Sequence, residues 1–112
     1  MDDLKTWHDA KQHCNEMGAR LMEIRTQEQL EKAQQFYQEL RDQFWLGASD
    51  EQTEGIWVWD SNQEEVDLNE FWLDGRPMDG TVGNFLNCLI MNSQGMFDWY
   101  CSHEQLFVCE FN

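Results

Sequence analysis

Four cysteines are the residues of this sequence best suited to covalent or metal chemistry: Cys14, Cys88, Cys101 and Cys109. Their number is even and none forms the C-x-x-C spacing of zinc and thioredoxin-like sites. The pattern therefore favours two disulfides in an oxidising compartment. Three pairings are open on the numbers alone, and buried free thiols are the alternative.

Three histidines are the candidates for acid–base chemistry: His8, His13 and His103. None stands in a G-x-S-x-G or H-E-x-x-H motif or in a Cys-His context, so we expect all of them at the surface. Asp and Glu are so numerous that chance pairs carry no glycosidase signal. The sequence predicts no catalytic residue and a protein that is not an enzyme.

The chain is strongly acidic, with 22 Asp and Glu against 7 Lys and Arg and a formal net charge of −15. Such a field repels phosphate backbones and anionic headgroups, so we expect no nucleic-acid partner. It favours basic proteins or divalent cations, with a purely solubilising surface as the alternative interpretation.

A length of 112 residues with 41% hydrophobic residues predicts one domain over 1–112 that buries a core. No apolar run approaches the roughly 20 residues that span a bilayer, so we expect no direct membrane insertion. Met1 is followed by Asp2 and Asp3 instead of a basic and then apolar leader, which is typical of a mature domain.

Two amphipathic helices are predicted in the first third of the chain. The apolar face of the first, over 6–17, comprises Trp7, Ala10, Cys14 and Met17. Gly18 follows as a stop signal, and Thr26 with Gln29 makes a capping box that opens the second helix. The apolar stripe of the second helix, expected in the core, comprises Leu30, Ala33, Tyr37 and Leu40.

Short strands follow, because from residue 44 onward the apolar runs are aromatic or β-branched and are separated by turn residues. The predicted strands are Phe44 to Ala48, Ile56 to Trp59, Leu86 to Met91, Gly95 to Tyr100 and Gln105 to Phe111. An acidic, Gly-containing stretch over 60–84 holds Pro77, the only proline. A connection of this length is typical of a functional loop or of disorder.

The order of these elements and several motifs resemble the C-type lectin-like domain. Phe44-Trp45-Leu46-Gly47 is similar to the WIGL motif of that family, and the segment from Asp50 to Trp59 resembles its acidic turn and next strand. Phe107-Val108-Cys109-Glu110 resembles its closing strand, and Trp7, Ala10 and Cys14 match its first helix. The chain is identified as a divergent member, with an α+β fold in which two helices flank short antiparallel sheets and a long loop region.

The resemblance also implies the disulfide pairing, Cys14 with Cys109 and Cys88 with Cys101. The first would tie the first helix to the last strand, and the second would staple the base of the long loop. Each would contribute on the order of 3 to 5 kcal/mol in the chain-entropy model. The resemblance covers essentially the whole chain, with only the first strand of the family expected to be missing.

Sugar-binding members of the family hold calcium through an E-P-N or Q-P-D triplet, a glutamate before the third cysteine and the N-D of a W-N-D triplet. Calcium requires such a set because it takes six to eight oxygen ligands. The corresponding residues here are Arg76-Pro77-Met78, Leu86 and Met96-Phe97-Asp98. Only Asp98 keeps a side-chain oxygen, and Arg76 places a cation where a cation must bind. We expect no calcium-bridged mannose- or galactose-type sugar.

An auxiliary calcium site of the same family is better preserved. Its positions carry side chains with oxygen atoms: Asp50, Glu54, Asp79 and Asn87. The resemblance implies a structural Ca²⁺ at these residues, with an acidic surface cluster as the alternative. Leu86 removes one shared ligand, and an ion pair of Asp79 with Arg76 is a further alternative.

A third family site uses oxygens at the start of the second helix together with the glutamate after the last cysteine. Glu23, Glu28 and Glu110 are near these positions, but Arg25 and Gln29 occupy two of them. We expect a salt bridge between Arg25 and one of the glutamates instead, worth at most about 1 kcal/mol if exposed.

We interpret the chain as a non-catalytic extracellular recognition module, either secreted or part of the ectodomain of a membrane protein. It is expected to bind a protein or other macromolecule through the long-loop face without calcium-bridged sugar. The candidate ligand-binding residues are Trp72, Arg76, Met78, Phe97 and Asp98. Ordinary loop packing is the alternative for Trp72 and Phe97.

Two other hypotheses stay open at this point. One is a calcium-dependent, carbohydrate-binding lectin with an unorthodox site, serving innate immune recognition of glycans. The other is an acidic surface for a mineral, ice or multivalent cations. The expected partners are thus an extracellular protein or a glycoconjugate, with a homo-oligomer open as well.

Overall fold

The computed structural model describes residues 4–53, 55–67, 70–76 and 86–111. Its two helices are α1, Trp7–Glu16, and α2, Gln27–Leu40. Each begins after a threonine whose hydroxyl accepts a hydrogen bond from a backbone amide of the first turn. The Gln29 side chain turns back to accept from the Arg25 amide at 2.6 Å, one residue earlier than in a standard capping box.

The buried faces of both helices match the predicted stripes, with one correction. Trp7, Ala10 and Cys14 of α1 are buried, but Met17 is 48% exposed. The prediction for Met17 was wrong because the helix ends at Glu16, and Met17 leaves the helical path as its C-cap. No helix among the described residues is long and apolar enough to cross a membrane.

The strands of the described residues are β1 Arg20–Leu21, β2 Phe44–Ser49, β3 Val58–Trp59, β4 Leu86–Met91, β5 Met96–Tyr100, β6 Leu106–Phe107 and β7 Cys109–Glu110. The larger sheet has the order β3-β2-β4-β5, with β6 beside β2. The smaller sheet pairs β1 with β7 in antiparallel fashion.

The closing segment is two strands and not the single strand predicted over 105–111. β6 runs parallel to β2, with Leu106 opposite Phe44, whereas β7 runs antiparallel to β1, with Cys109 opposite Leu21. Val108, between the two strands, is 7% exposed. The segment divides because its two halves pair with different sheets, a tertiary choice that local sequence does not encode.

The core lies on both faces of the larger sheet. Phe44 and Leu46 of β2 join the cluster under α2, whereas Trp45 joins the cluster under α1, as the two-residue period of a strand requires. Gly47 stands where β1 crosses close by, since a Cβ built there would lie 3.0 Å from the Leu21 carbonyl oxygen. The glycine of the WIGL-like motif is therefore a packing requirement.

Both disulfides implied by the resemblance are present. Cys14 of α1 is bonded to Cys109 of β7, and Cys88 of β4 is bonded to Cys101, directly after β5. The first bond closes a sequence separation of 95 residues and the second a separation of 13. The α+β fold with two helices and two disulfides is confirmed.

Candidate functional site

Arg76, in the long loop, forms an ion pair with Asp98, on the central part of β5. Its Nη1 lies 2.7 Å from Asp98 Oδ1 and 2.7 Å from the Asp98 carbonyl oxygen. The Asp98 side chain is 1% exposed and that of Arg76 is 23% exposed. These are charge-assisted hydrogen bonds in a largely desolvated setting, which makes them stronger than neutral ones.

The Phe97 ring supports the guanidinium of Arg76 from a second side. The Arg76 Cζ lies 5.5 Å from the centroid of that ring, within range of a cation–π contact. Phe97 is 6% exposed and belongs to the core cluster under α1. This burial favours the packing alternative for Phe97 over a direct contact with a ligand.

The described residues at the sugar-site position do not fit a calcium ion. Leu86 and Phe97 offer no side-chain oxygen, and the Asp98 carboxylate accepts hydrogen bonds from a guanidinium. A divalent ion there would face the positive charge of Arg76 at close range. Met78, predicted at the same position, lies outside the described residues.

Trp72 both packs on the fold and lines an open cleft. Its ring meets that of Trp57 edge-on at 5.4 Å between centroids, and its indole N–H donates to the Asp67 carbonyl at 3.0 Å. Together with Leu73, Asp74 and Gln94 it lines a cleft of about 400 Å³. One part of the Trp72 ring is therefore used in packing, as the packing alternative expected, and another part faces the cleft.

The structure brings together the two described members of the auxiliary calcium set. The Asp50 amide donates to the Asn87 carbonyl at 3.1 Å, because Ser49 and Cys88 are paired residues of β2 and β4. Asp50 is 3% exposed, and its Oδ2 accepts from the Gly55 amide at 3.0 Å. Oxygen donors at this turn fit a calcium ion. The other two predicted ligands, Glu54 and Asp79, lie outside the described residues.

The third family position holds arginines paired with glutamates. Arg25 Nη2 lies 2.9 Å from Glu23 Oε1, and Arg20 Nε lies 3.3 Å from Glu110 Oε2. The predicted ion pair of Arg25 with a neighbouring glutamate is confirmed for Glu23, whose side chain is 1% exposed. Arg25 also pairs with Glu64, a partner that the sequence did not predict.

These contacts shift two pKa values in ways that keep both groups charged. Burial lowers the pKa of Arg25, but hydrogen bonds to Glu23 and Glu64 and attraction to both carboxylates outweigh it, so the net shift is upward. The pKa of Glu64 is lowered by hydrogen bonds from Arg25 and Asn62 and by the positive charge of Arg25.

The described residues offer no arrangement for catalysis or for a thiolate metal site. All three histidines are exposed, as predicted, and His8 pairs with Glu51 at 2.7 Å. The one group of His, Cys, Asp and Glu in this part of the chain with metal-ligand proximity is Glu51 with Cys88 and Cys101. Since those two sulfurs are bonded to each other, the group is not a metal site.

An aromatic surface at the end of β5 was missed by the sequence analysis. The rings of Trp99, Tyr100 and His103 contact one another, and Tyr100 is 39% exposed. A sequence signal for this surface was available. Tyr100 is the last residue of β5, three residues after the buried Phe97, and the chain turns directly after it. Aromatic residues at the end of a strand can be exposed and form an interaction surface. The sequence analysis treated these residues only as part of a strand.

Comparison with known proteins agrees with this architecture. The family model described as "Lectin C-type domain" matches residues 3–111. The hepatic lectin of Gallus gallus is 32% identical, over 94% of this chain and 49% of its own length. The C-type lectin domain family 4 member D of Homo sapiens is 30% identical, over 98% of this chain and 51% of its own. The chain thus spans about half the length of these curated relatives.

Solved structures give the same result. A Ca²⁺-dependent type II antifreeze protein in its Ca²⁺-free form is 26% identical with a TM-score of 0.80, over 96% of this chain and 84% of that one. The carbohydrate-recognition domain of cow CD23, solved in the presence of a GlcNAc2Man3 oligosaccharide, is 29% identical with a TM-score of 0.75, over 95% and 79%. The chain belongs to the C-type lectin domain family, whose domains are non-enzymatic recognition modules.

Proposed function

We propose that this domain recognises a protein or other macromolecular surface through its long-loop face without a calcium-bridged sugar. The long-loop face comprises the described loop residues 60–67 and 70–76 with the adjoining end of β5. The ion pair of Arg76 with Asp98 carries the proposal, because it engages the one carboxylate left at the sugar-site position.

The positive charge of Arg76 argues against a sugar-bridging calcium ion more strongly than the small number of oxygen ligands does. A divalent ion about 4 Å from a guanidinium, at an effective dielectric constant near 20, meets a repulsion on the order of 8 kcal/mol. Moving Arg76 away would break hydrogen bonds to Asp98 and the contact with Phe97. Calcium would thus have to displace a cation that the fold already holds on two sides.

The same face offers features of a recognition surface. Trp72 and Asp74 line the cleft of about 400 Å³, and Arg76 follows Asp74 by two residues in the sequence. Trp and Arg are among the side chains most often found at the energetic centre of interfaces. Trp72, Arg76 and Met78 remain our candidate contacts, with Asp98 acting through Arg76.

The second candidate function is a calcium-dependent lectin with an unorthodox site. The adjacency of Asp50 and Asn87 favours it, since oxygen donors survive there. Relatives named as lectins, and the cow CD23 domain solved with an oligosaccharide, support it as well.

Two disulfides support an extracellular location for the domain. A homo-oligomer is included in the proposal because the chain is similar to a trimeric Kupffer cell receptor, with 27% identity.

An array of extracellular proteins and glycans, probed in millimolar calcium and again in excess chelator, tests the proposal. Asp74→Lys on the long loop is compared with Glu39→Lys on α2, because both residues are exposed and the charge change is the same. We expect protein binding that survives the chelator and changes only with Asp74→Lys. Binding lost in chelator, or altered equally by both substitutions, contradicts the proposal.

A further inference from the structure

We infer that the aromatic rings at the end of β5 are the contact surface for a basic protein, which places an arginine or lysine side chain against the exposed ring of Tyr100. The β5 aromatic patch is defined as Trp99, Tyr100 and His103. The inference rests on the proposed function and deepens it, because the patch lies next to the long loop. Tyr100 is paired with Leu86, the residue at which β4 begins after that loop.

The three rings form one contiguous surface. Trp99 meets Tyr100 and His103 edge-on, at 5.4 and 5.7 Å between centroids, and Tyr100 lies 4.8 Å from His103 at an interplanar angle of 34°. A turn in which the His103 amide donates to the Tyr100 carbonyl at 3.1 Å fixes the backbone between them. The patch therefore presents a pre-formed shape, which lowers the entropic cost of binding.

The support beneath the patch is rigid. Trp99 packs edge-on against the core residue Phe97 at 5.8 Å between centroids. The Cys88–Cys101 disulfide fastens the chain directly after Tyr100 to β4. A partner therefore meets rings already held in place by the sheet and a covalent bond.

The half-buried ring of Trp99 also carries a buried polar group. Within the part of the chain that the structure describes, its buried indole N–H has no hydrogen-bond partner. A buried donor without a partner destabilises the folded state, and a phenylalanine ring would avoid that loss. An indole offers a cation a wider π-face than a phenyl ring does, and this is the role that we assign to Trp99.

The charge around the patch selects the partner. Glu104 is exposed beside His103, and Glu51, which pairs with His8, has a carboxylate oxygen within 4.8 Å of both disulfide sulfurs. The whole chain carries a formal net charge of −15. Aromatic faces attract cations, and neighbouring carboxylates add to that attraction. An arginine-bearing basic surface fits this combination better than an anionic or neutral one.

Fluorescence anisotropy with a labelled oligo-arginine peptide, in chelator at physiological salt, tests the inference. An oligo-citrulline peptide of equal length is the uncharged probe. Tyr100→Leu is compared with Phe111→Leu, which removes a 70% exposed ring bordering a different groove, beside Met17 and Phe36. We expect Tyr100→Leu to weaken arginine binding about two- to five-fold, the range of an exposed cation–π contact, and Phe111→Leu to leave it unchanged.

Trp99→Phe separates a binding role from a structural one. Because it removes a buried N–H that has no partner among the described residues, we expect an unchanged or higher melting temperature together with about two-fold weaker arginine binding. Equal effects of Tyr100→Leu and Phe111→Leu would overturn the inference, as would equal binding of the two peptides or glycan binding that alone depends on Tyr100. Chelator-released retention on sugar resin would overturn the proposed function and leave the peptide result standing.

Discussion

The base of the long loop and the turn that follows β2 both lie where the family resemblance places calcium ligands, yet their chemistry differs. At the base of the loop, the guanidinium of Arg76 lies on the buried carboxylate of Asp98. At the turn, the described side chains and carbonyls of Asp50 and Asn87 supply oxygens. The first region has an internal cation, and the second carries oxygen atoms of the kind that bind calcium.

From this difference we expect the sugar-bridging and structural roles of calcium to be separable on one scaffold. Both regions lie on the same support, because Asp98 is on β5, Asn87 is on β4, and these strands are paired. Family membership therefore fixes the support, whereas the ligand depends on the residues placed on it.

The third family position repeats the arrangement seen at the loop base. Arg25 and Arg20 pair with Glu23 and Glu110 near the start of α2. Of the three positions, two therefore hold an arginine side chain within the described residues. A guanidinium donates several directed hydrogen bonds to carboxylates, which makes it a suitable internal substitute for an ion.

The largest expected effect is that of Arg76→Ala, which leaves the buried Asp98 carboxylate without its guanidinium. We expect the free energy of unfolding to fall by about 3 kcal/mol, as when one member of a buried pair is removed. Urea denaturation measures it. Lys32→Ala, an exposed site on α2, should change stability by no more than about 0.5 kcal/mol. Equal effects of the two substitutions would show that the loop-base pair does not matter.

A somewhat smaller effect is expected from calcium at the turn. We expect calcium to stabilise the domain through Asp50, Glu54, Asp79 and Asn87, by about 2.7 kcal/mol at one hundred times its dissociation constant. Thermal melting in chelator and in calcium measures the shift, and Asp79→Ala should abolish it. An identical melting temperature in both solutions would contradict calcium binding at the turn, and the two regions would then not differ in this respect.

The smallest effect concerns Glu64, whose exposed carboxylate pairs with Arg25. Its pKa is lowered in the folded state from an ordinary value of 4.5. The pair therefore stabilises the fold above that pH, and the contribution is lost as pH falls through the lowered pKa. In Glu64→Gln, stability should decline less between neutral and acid pH, whereas Glu65→Gln should retain the wild-type profile. Indistinguishable acid profiles would count against the Arg25 pair.

Sequence reasoning succeeded where the signals were local. Thr26 was predicted to cap α2 and does so, since a capping hydroxyl bonds within three residues. The first helix was predicted to begin at Thr6, which the structure shows as its N-cap. The alternation of Phe44, Trp45 and Leu46 likewise belongs to a single strand. The disulfide pairing was implied by the family resemblance, since the number of cysteines alone left three pairings open.

Sequence reasoning failed where partners are distant in the chain. Arg76 pairs with Asp98, 22 residues away, whereas the sequence offered Asp79, three residues away. Arg25 reaches Glu64 across 39 residues. Such pairs depend on the path of the loop over the sheet, which no local pattern specifies. The patch of Trp99 and Tyr100 was missed for a related reason, because strand periodicity does not show which rings stay exposed.

Chromatography on mannose and galactose resins in millimolar calcium tests the central claim most directly, that Arg76 has replaced the sugar-bridging ion. Asp98 is the one described carboxylate at that position, and it is hydrogen-bonded to the guanidinium, so calcium lacks the oxygen ligands it needs to hold a sugar. We predict that the domain passes through both resins in calcium and in chelator alike. Retention in calcium with release by chelator would contradict the account.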